Sequence, residues 1–368
     1  MQLNQRLLQN IKTMNFKRTN AIYLSLALLL LLSFSCKDPD EIKPAFNKGT
    51  LLTNVANTII APAFNDFESD LSSLEASFIA LKTSPNQANL DAVKADWKAA
   101  YIQWQLVKIF DFGPLRDNGF KGATGTYPTD SNQVNSNILN GGYNLGSIDN
   151  TDAIGFSALD FLLYRTNALA DFSSNPNYTQ YASDLIQKMK TEFALVNGQW
   201  INYKPTFIAA TGTETTSAFS LLVNEFNRDY ELTKNAKLGI PIGVQSLGIQ
   251  LPEYIEARNS GLSLELLQES MRALRIVYLG NNPNSGQGFY DYLVHLERST
   301  LAVEIDTKFS QIINNIEAFN GTLEEEMGSN VNGLEELYYL IQEQVVNIKT
   351  DMTSAFGVLI TYQDNDGD

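Results

Sequence analysis

Apolar residues recur along this chain at intervals of three and four, the spacing of one face of a helix. From Thr50 to Leu81 the stripe is Leu51, Val55 and Ile59, then Phe64, Phe67, Leu71, Leu74 and Phe78. It predicts a helix kinked at Pro62. Ser84-Pro85-Asn86 turns the chain. Val93, Trp97, Tyr101, Trp104 and Val107 then predict a second helix from about Leu90 to Phe110, stopped by Gly113-Pro114. Residues 115–150 are rich in Gly, Asn, Thr and Ser, with at most one short helix near Gln133–Leu139. Irregular segments of this length in compact domains are usually functional or disordered. This one is either a cover over a pocket between the Trp104–Pro114 end and the following helix, or a surface excursion.

That following helix reads GFSALDFLLY, Gly155–Tyr164. Phe156, Leu159 and Leu163 make an apolar stripe, and Ser157, Asp160 and Tyr164 a polar stripe beside it. Gly155 lets another backbone come close. Two readings stand side by side. The polar stripe lines a pocket, or Ser157 is the N-cap and Asp160 its capping partner at the third helical position.

Another helix is predicted at about Tyr178–Trp200, with Tyr181, Leu185, Met189, Phe193, Val196 and Trp200 inward. Lys204-Pro205 and Thr211-Gly212-Thr213 break the pattern between Asn202 and Thr216, and a domain boundary is expected there. Helices are predicted again at about Thr216–Leu238, Ser263–Leu279, Tyr290–Asn320 (broken near Arg298) and Val331–Phe356, with an irregular stretch at Gly239–Gly261. Strand alternation is lacking throughout. The pattern predicts an all-α protein of two four-helix-bundle domains, residues 50–201 and 217–368, joined by a linker at 202–216. The arrangement suggests an ancient duplication, although no residue-level repeat is visible.

The first thirty-five residues read as an address. Lys17 and Arg18 precede an apolar run from Ala21 to Phe34, short for a membrane span but suited to a signal-peptide core. It ends at Ser33-Phe34-Ser35-Cys36, which looks like a lipoprotein processing site with Ser33 in place of the usual Leu. Met14, rather than Met1, gives the more ordinary start. Cys36 is the expected lipid anchor, and residues 36–49 a tether that includes the acidic Lys37-Asp38-Pro39-Asp40-Glu41. Because Cys36 is the one cysteine, no disulfide is expected. These features place the chain in the cell envelope, as an outer-membrane lipoprotein, periplasmic or surface-exposed, whose membrane partner is reached through Cys36.

Charge narrows the partners further. Removing residues 1–35 takes away four basic residues and no acidic one, so a net charge of −15 becomes −19. Nucleic-acid binding requires a basic footprint, and none is present.

GFSALDFLLY resembles the signature of the imelysin-like family, G-x-H-x-x-E followed by an apolar helix and an aromatic. Gly155 matches, while Ser157 stands at the His position and Asp160 at the Glu position. WQLVKIFDFGP at Trp104–Pro114, EARNSGLSLELL at Glu256–Leu267 and DNDGD at Asp364–Asp368 fit the same family in order. The resemblance implies two helical bundles with the motif near their interface, and a place in iron or metal acquisition. Many relatives carry Glu where this chain has Lys108. The resemblance thus implies a lost or weak metal site, with no confident cofactor. If Lys108 and Asp160 meet, they form a buried ion pair or a site for a zwitterionic or anionic ligand. Glu256, Arg258 and Ser260 either face the Gly155 motif or brace a loop ahead of a helix capped by Ser263.

Catalytic constellations are poorly supported. His295 is the one histidine, so zinc-protease spacings do not occur. Gly155-Phe156-Ser157-Ala158-Leu159 lacks the second glycine and the preceding strand of a nucleophile elbow. Asp364–Asp368 ends before a calcium loop is complete and reads as a polar tail. The expected ligand-binding residues are therefore Gly155, Ser157, Asp160, Lys108, Glu256 and Arg258, with none catalytic and none metal-binding. The leading expectation is a non-catalytic protein that binds an unknown small ligand or a surface partner. An imelysin-type peptidase and a cell-surface scaffold with a dead site are the alternatives.

Overall fold

A computed structural model describes residues 45–281 and 287–362. Cys36, the expected signal peptide and the DNDGD tail lie outside them. Contacts divide the chain after Phe46, and Asn47–Asp368 is one compact unit. Among the described residues every regular element is helical, and no described helix is long and apolar enough to cross a membrane. The chain is all-α.

The first predicted helix is three segments: α1 (Lys48–Asn54), a π turn (Val55–Ile60) and α2 (Ala61–Thr83). Asn47 caps α1, accepting from the Thr50 N–H at 3.1 Å. Pro62 falls in the first turn of α2, where a missing N–H is least costly, so the break in regularity is the π turn ahead of it. Asn86 caps α3 (Gln87–Val107) by accepting from Asn89, and a 3₁₀ turn, Lys108–Phe110, ends that helix. The predicted inward residues of α2 and α3 are buried. Their aromatics pack edge to face with a later helix, Phe67 and Phe193 having ring centroids 4.6 Å apart at 83°.

Residues 115–150 are more ordered than their composition suggests. They include α4 (Pro114–Asp117), α5 (Phe120–Gly125), α6 (Ser131–Asn140) and a 3₁₀ turn at Ile148–Asn150. Phe120 and Val134 are fully buried, which pins the segment to the core. Next come α7 (Gly155–Tyr164), α8 (Ala168–Ser174) and α9 (Pro176–Ala209). α9 runs through Lys204-Pro205, so the break expected from Asn202 is confined to residues 210–217.

The second half contains α10 (Ala218–Lys234) with a π turn (Asn235–Gly239), α11 (Ser263–Leu279) and α12 (Phe289–His295). It continues through α13 (Ser299–Glu317), α14 (Leu323–Ser329) and α15 (Val331–Val345), then a π turn (Val346–Met352) and α16 (Thr353–Phe356). Arg298 marks the break between α12 and α13. Ser263 does not cap α11: Leu262 holds that place, and Ser263 is buried inside the first turn. α11 packs on α3, and α10 on the Lys108–Phe110 turn, which fastens the two groups of helices together.

Candidate functional site

α10 runs through this junction with an unusual burden of buried charge. Glu225, Asp229, Glu231 and Lys234 are all buried, while Leu232 is exposed. Asp229, Thr233 and Lys237 recur at i, i+4 and i+8, a single stripe along the helix and its π turn. That stripe forms one wall of a cavity of about 250 Å³. α3 contributes Trp104, followed by Lys108, and α5 contributes Lys121. Tyr127 and Glu256 close it.

The charges meet in a defined pattern. Lys108 Nζ donates to both oxygens of Asp229, at 3.1 and 2.9 Å. Lys121 Nζ donates to Asp229 Oδ1 at 3.3 Å. Lys237 pairs with Glu256, whose other oxygen accepts the Tyr101 hydroxyl at 2.9 Å. Burial alone would push the Asp229 carboxyl up, but Lys108 and Lys121 outweigh it and hold the group below the usual carboxylate range. Burial lowers Lys121 below the ordinary lysine value, with Asp229 pulling the other way. It lowers Lys237 to about 8, against the pull of Glu256 and with the help of Lys108. Burial also raises the Tyr101 and Tyr127 phenols, and Glu256 adds to both shifts. Beside the cavity, Arg228 bridges Asp111 and Glu225, and Arg116 adds a second cation to Glu225.

The Gly155 motif sits elsewhere. Ser157 and Asp160 line a different cavity, of about 260 Å³, with Glu253, Arg258 and Asn259. Asp160 Oδ2 accepts from the backbone and side-chain amides of Asn259, both at 2.9 Å, and Oδ1 accepts from the Ser260 N–H at 3.0 Å. Burial raises its carboxyl, while these donors draw it back. Gly155 has φ +74°, and a Cβ there would lie 2.3 Å from the Thr124 carbonyl oxygen, so close backbone approach does require glycine.

The expected ligand-binding residues are thus divided. Lys108 and Glu256 belong to the charged cavity, while Ser157, Asp160 and Arg258 belong to the other. The ion pair envisaged between Lys108 and Asp160 does not form; Lys108 is taken by Asp229, and Asp160 by the 259–260 amides. The capping-pair alternative also fails, because Ile154 is the N-cap of α7 and Asp160 reaches across to another segment. Arg258 pairs with Glu324 on an exposed face. The irregular 115–150 stretch covers two cavities: Lys121 and Tyr127 line the one between the end of α3 and α10, and Pro128, Thr129 and Ser131 line the one beside α7. Asp229, Lys121, Thr233 and Lys237 went unnoticed in the sequence. The signal for Asp229, Thr233 and Lys237 was their four-residue spacing, whereas Lys121, on α5, shares no such pattern with them.

The imelysin family model matches residues 60–349. The chain belongs to the imelysin family. Its similarity to iron-regulated protein A of Synechococcus elongatus is 31% identity over 72 residues, a fifth of either chain. Two crystal structures share the fold. One is a candidate iron-regulated protein A precursor from Parabacteroides distasonis, at TM-score 0.71 and 14% identity over 85% of this chain and 97% of that one. The other is an imelysin-like protein from Psychrobacter arcticum, at 0.70 and 16% over 86% and 97%.

The metal site implied by the imelysin resemblance finds no suitable donor set here. Asp160 has both oxygens engaged by N–H donors, Ser157 is a poor ligand, and the Lys108 position carries an ammonium. Among the described residues no group of three or more His, Cys, Asp or Glu side chains is placed to hold a metal ion.

Proposed function

We propose that this imelysin-family chain is a non-catalytic ligand-binding protein of the cell envelope, exported and held at the outer membrane by a lipid on Cys36. The role would be in iron-related physiology, which the names of its relatives support. The observation that carries the binding reading is the cavity at the helix junction. It has buried charge, aromatic walls and about 250 Å³ of space, near the small end of ligand pockets. Against the peptidase reading, Ser157 shares its cavity with no histidine, and Asp160 is committed to the 259–260 amides.

The test is direct. The full chain, purified in detergent, is incubated with an unstructured protein substrate and with mixed peptides, and its metal content is measured. Intact substrates and no stoichiometric iron or zinc are expected. Cleavage that disappears with Ser157→Ala would overturn the reading. Labelling cells with a fatty-acid analogue tests the anchor: label should be lost in Cys36→Ala, and unchanged labelling would defeat that part.

A further inference from the structure

The charges around the cavity do not balance. Lys108, Lys121 and Lys237 bring three ammonium groups to two carboxylates, Asp229 and Glu256. The neighbouring group of Arg116, Arg228, Asp111 and Glu225 is balanced within itself and supplies no spare anion. One positive charge is therefore left over at the cavity, in a chain whose net charge is −15. An uncompensated charge in this setting is costly, and an anion entering the cavity would offset it. A second observation points the same way. Thr233 is fully buried on the cavity wall, and its hydroxyl has no hydrogen-bond partner. Buried hydroxyls are normally satisfied, so an acceptor from a ligand is the natural complement.

The rest of the wall sets the shape of that ligand. Trp104, Tyr127, Leu232 and Ala236 are apolar or aromatic surfaces facing the lysines. A cavity of about 150 Å³ is enough for benzene, so about 250 Å³ takes one ring with a charged substituent. We propose that the site binds a small organic monoanion, a carboxylate on a flat apolar body. Its oxygens would accept from Lys121 and Thr233, and its body would lie against Trp104 and Tyr127. The single excess charge selects a monoanion over a dianion, and the three ammonium groups exclude a metal cation. This inference rests on the reading of the protein as a ligand binder and names the class of ligand.

Calorimetry on the full chain in detergent tests it, with benzoate as the probe, benzamide as its neutral isostere and inorganic phosphate as a charged but non-apolar control. Benzoate should bind, and benzamide at least tenfold more weakly. Lys121→Met should lower benzoate affinity by tenfold or more, as expected for one charge-assisted hydrogen bond. Thr233→Val keeps the side-chain shape and should lower it several-fold with an unchanged circular dichroism spectrum. Equal binding of benzamide would overturn the anion class while leaving a binding cavity. Phosphate binding in place of benzoate would overturn the apolar body. No binding of benzoate by the folded protein would overturn the proposal outright. Peptide cleavage, by contrast, would sink the ligand-binder reading, so the two failures are distinct.

Discussion

Lys237 is the residue whose charge state most affects this junction. Its folded pKa of about 8 lies below the ordinary lysine value of 10.5, chiefly through burial. Between those values the unfolded chain holds a proton that the folded chain has lost, so the contribution of Lys237 to stability rises with pH from about 8 to about 10.5. The difference amounts to roughly 3 kcal/mol. Glu256 and Asp229 attract its charge, and Lys108 repels it. Tyr127, whose ring centroid is 5.9 Å from its ammonium, is raised and still neutral in this window. Denaturant titrations of wild type and Lys237→Met at pH 7 and pH 9.5 should therefore show the wild type gaining stability relative to the variant at the higher pH. A constant difference would contradict the buried, depressed ammonium. Thr233→Val belongs to the same scale. Removing a buried hydroxyl without a partner should stabilise the free protein by about 1 kcal/mol, and a loss would show that the hydroxyl is satisfied. Asp160→Ala should cost about 2–4 kcal/mol, because it strands the Asn259 and Ser260 amides that now donate to it. A neutral outcome in thermal unfolding would mean those donors find other partners.

At the scale of elements, the link between α7 and α5 depends on Gly155. The positive φ and the 2.3 Å approach to the Thr124 oxygen act together, and Gly155→Ala should destabilise by roughly 2–4 kcal/mol. An unchanged melting temperature would show that the backbone can retreat. This glycine was legible in the sequence, as were the apolar faces of α2, α3, α9, α11 and α15, because burial of a helix face imposes its own period. What the period could not reveal was which polar residues go inside. Glu225, Asp229 and Lys234 on α10 resemble any solvated charge pattern until α11, α15 and the Lys108–Phe110 turn cover them. The π turns at Val55–Ile60, Asn235–Gly239 and Val346–Met352 were likewise hidden, since one extra residue per turn barely disturbs an apolar stripe. In 115–150 the low apolar content concealed the anchors Phe120 and Val134, which are buried together with Leu115 and Ile138. Lys108 and Asp160 are both buried, but each meets a different partner, Asp229 and the 259–260 amides. Position along the chain says that two residues are near the junction, but not which carboxylate each lysine meets.

At the scale of the whole molecule, the two groups of helices are joined by buried polar bonds as well as apolar contact. Tyr101 donates to Glu256, Lys108 to Asp229, and Ser270 to Gln105 at 2.9 Å. Asn54 adds a further bond, donating to the Gly280 carbonyl at 2.9 Å. Separating the groups would break these bonds and expose the apolar surface packed around them, so the two groups should unfold together. The tryptophans provide the means of testing this. Trp97, Trp104 and Trp200 are the only ones in the chain, and all lie before residue 210. Tryptophan fluorescence therefore reports the first group, whereas far-ultraviolet circular dichroism reports every helix. In a denaturant titration of the full chain the two signals should superimpose on one transition with one midpoint, as two-state unfolding requires. Lys108→Met removes two hydrogen bonds at the junction but leaves Lys121 on Asp229, so it should move both curves in parallel without separating them. Separate midpoints for fluorescence and circular dichroism would show that the groups are independent domains and that the junction is a contact they can do without.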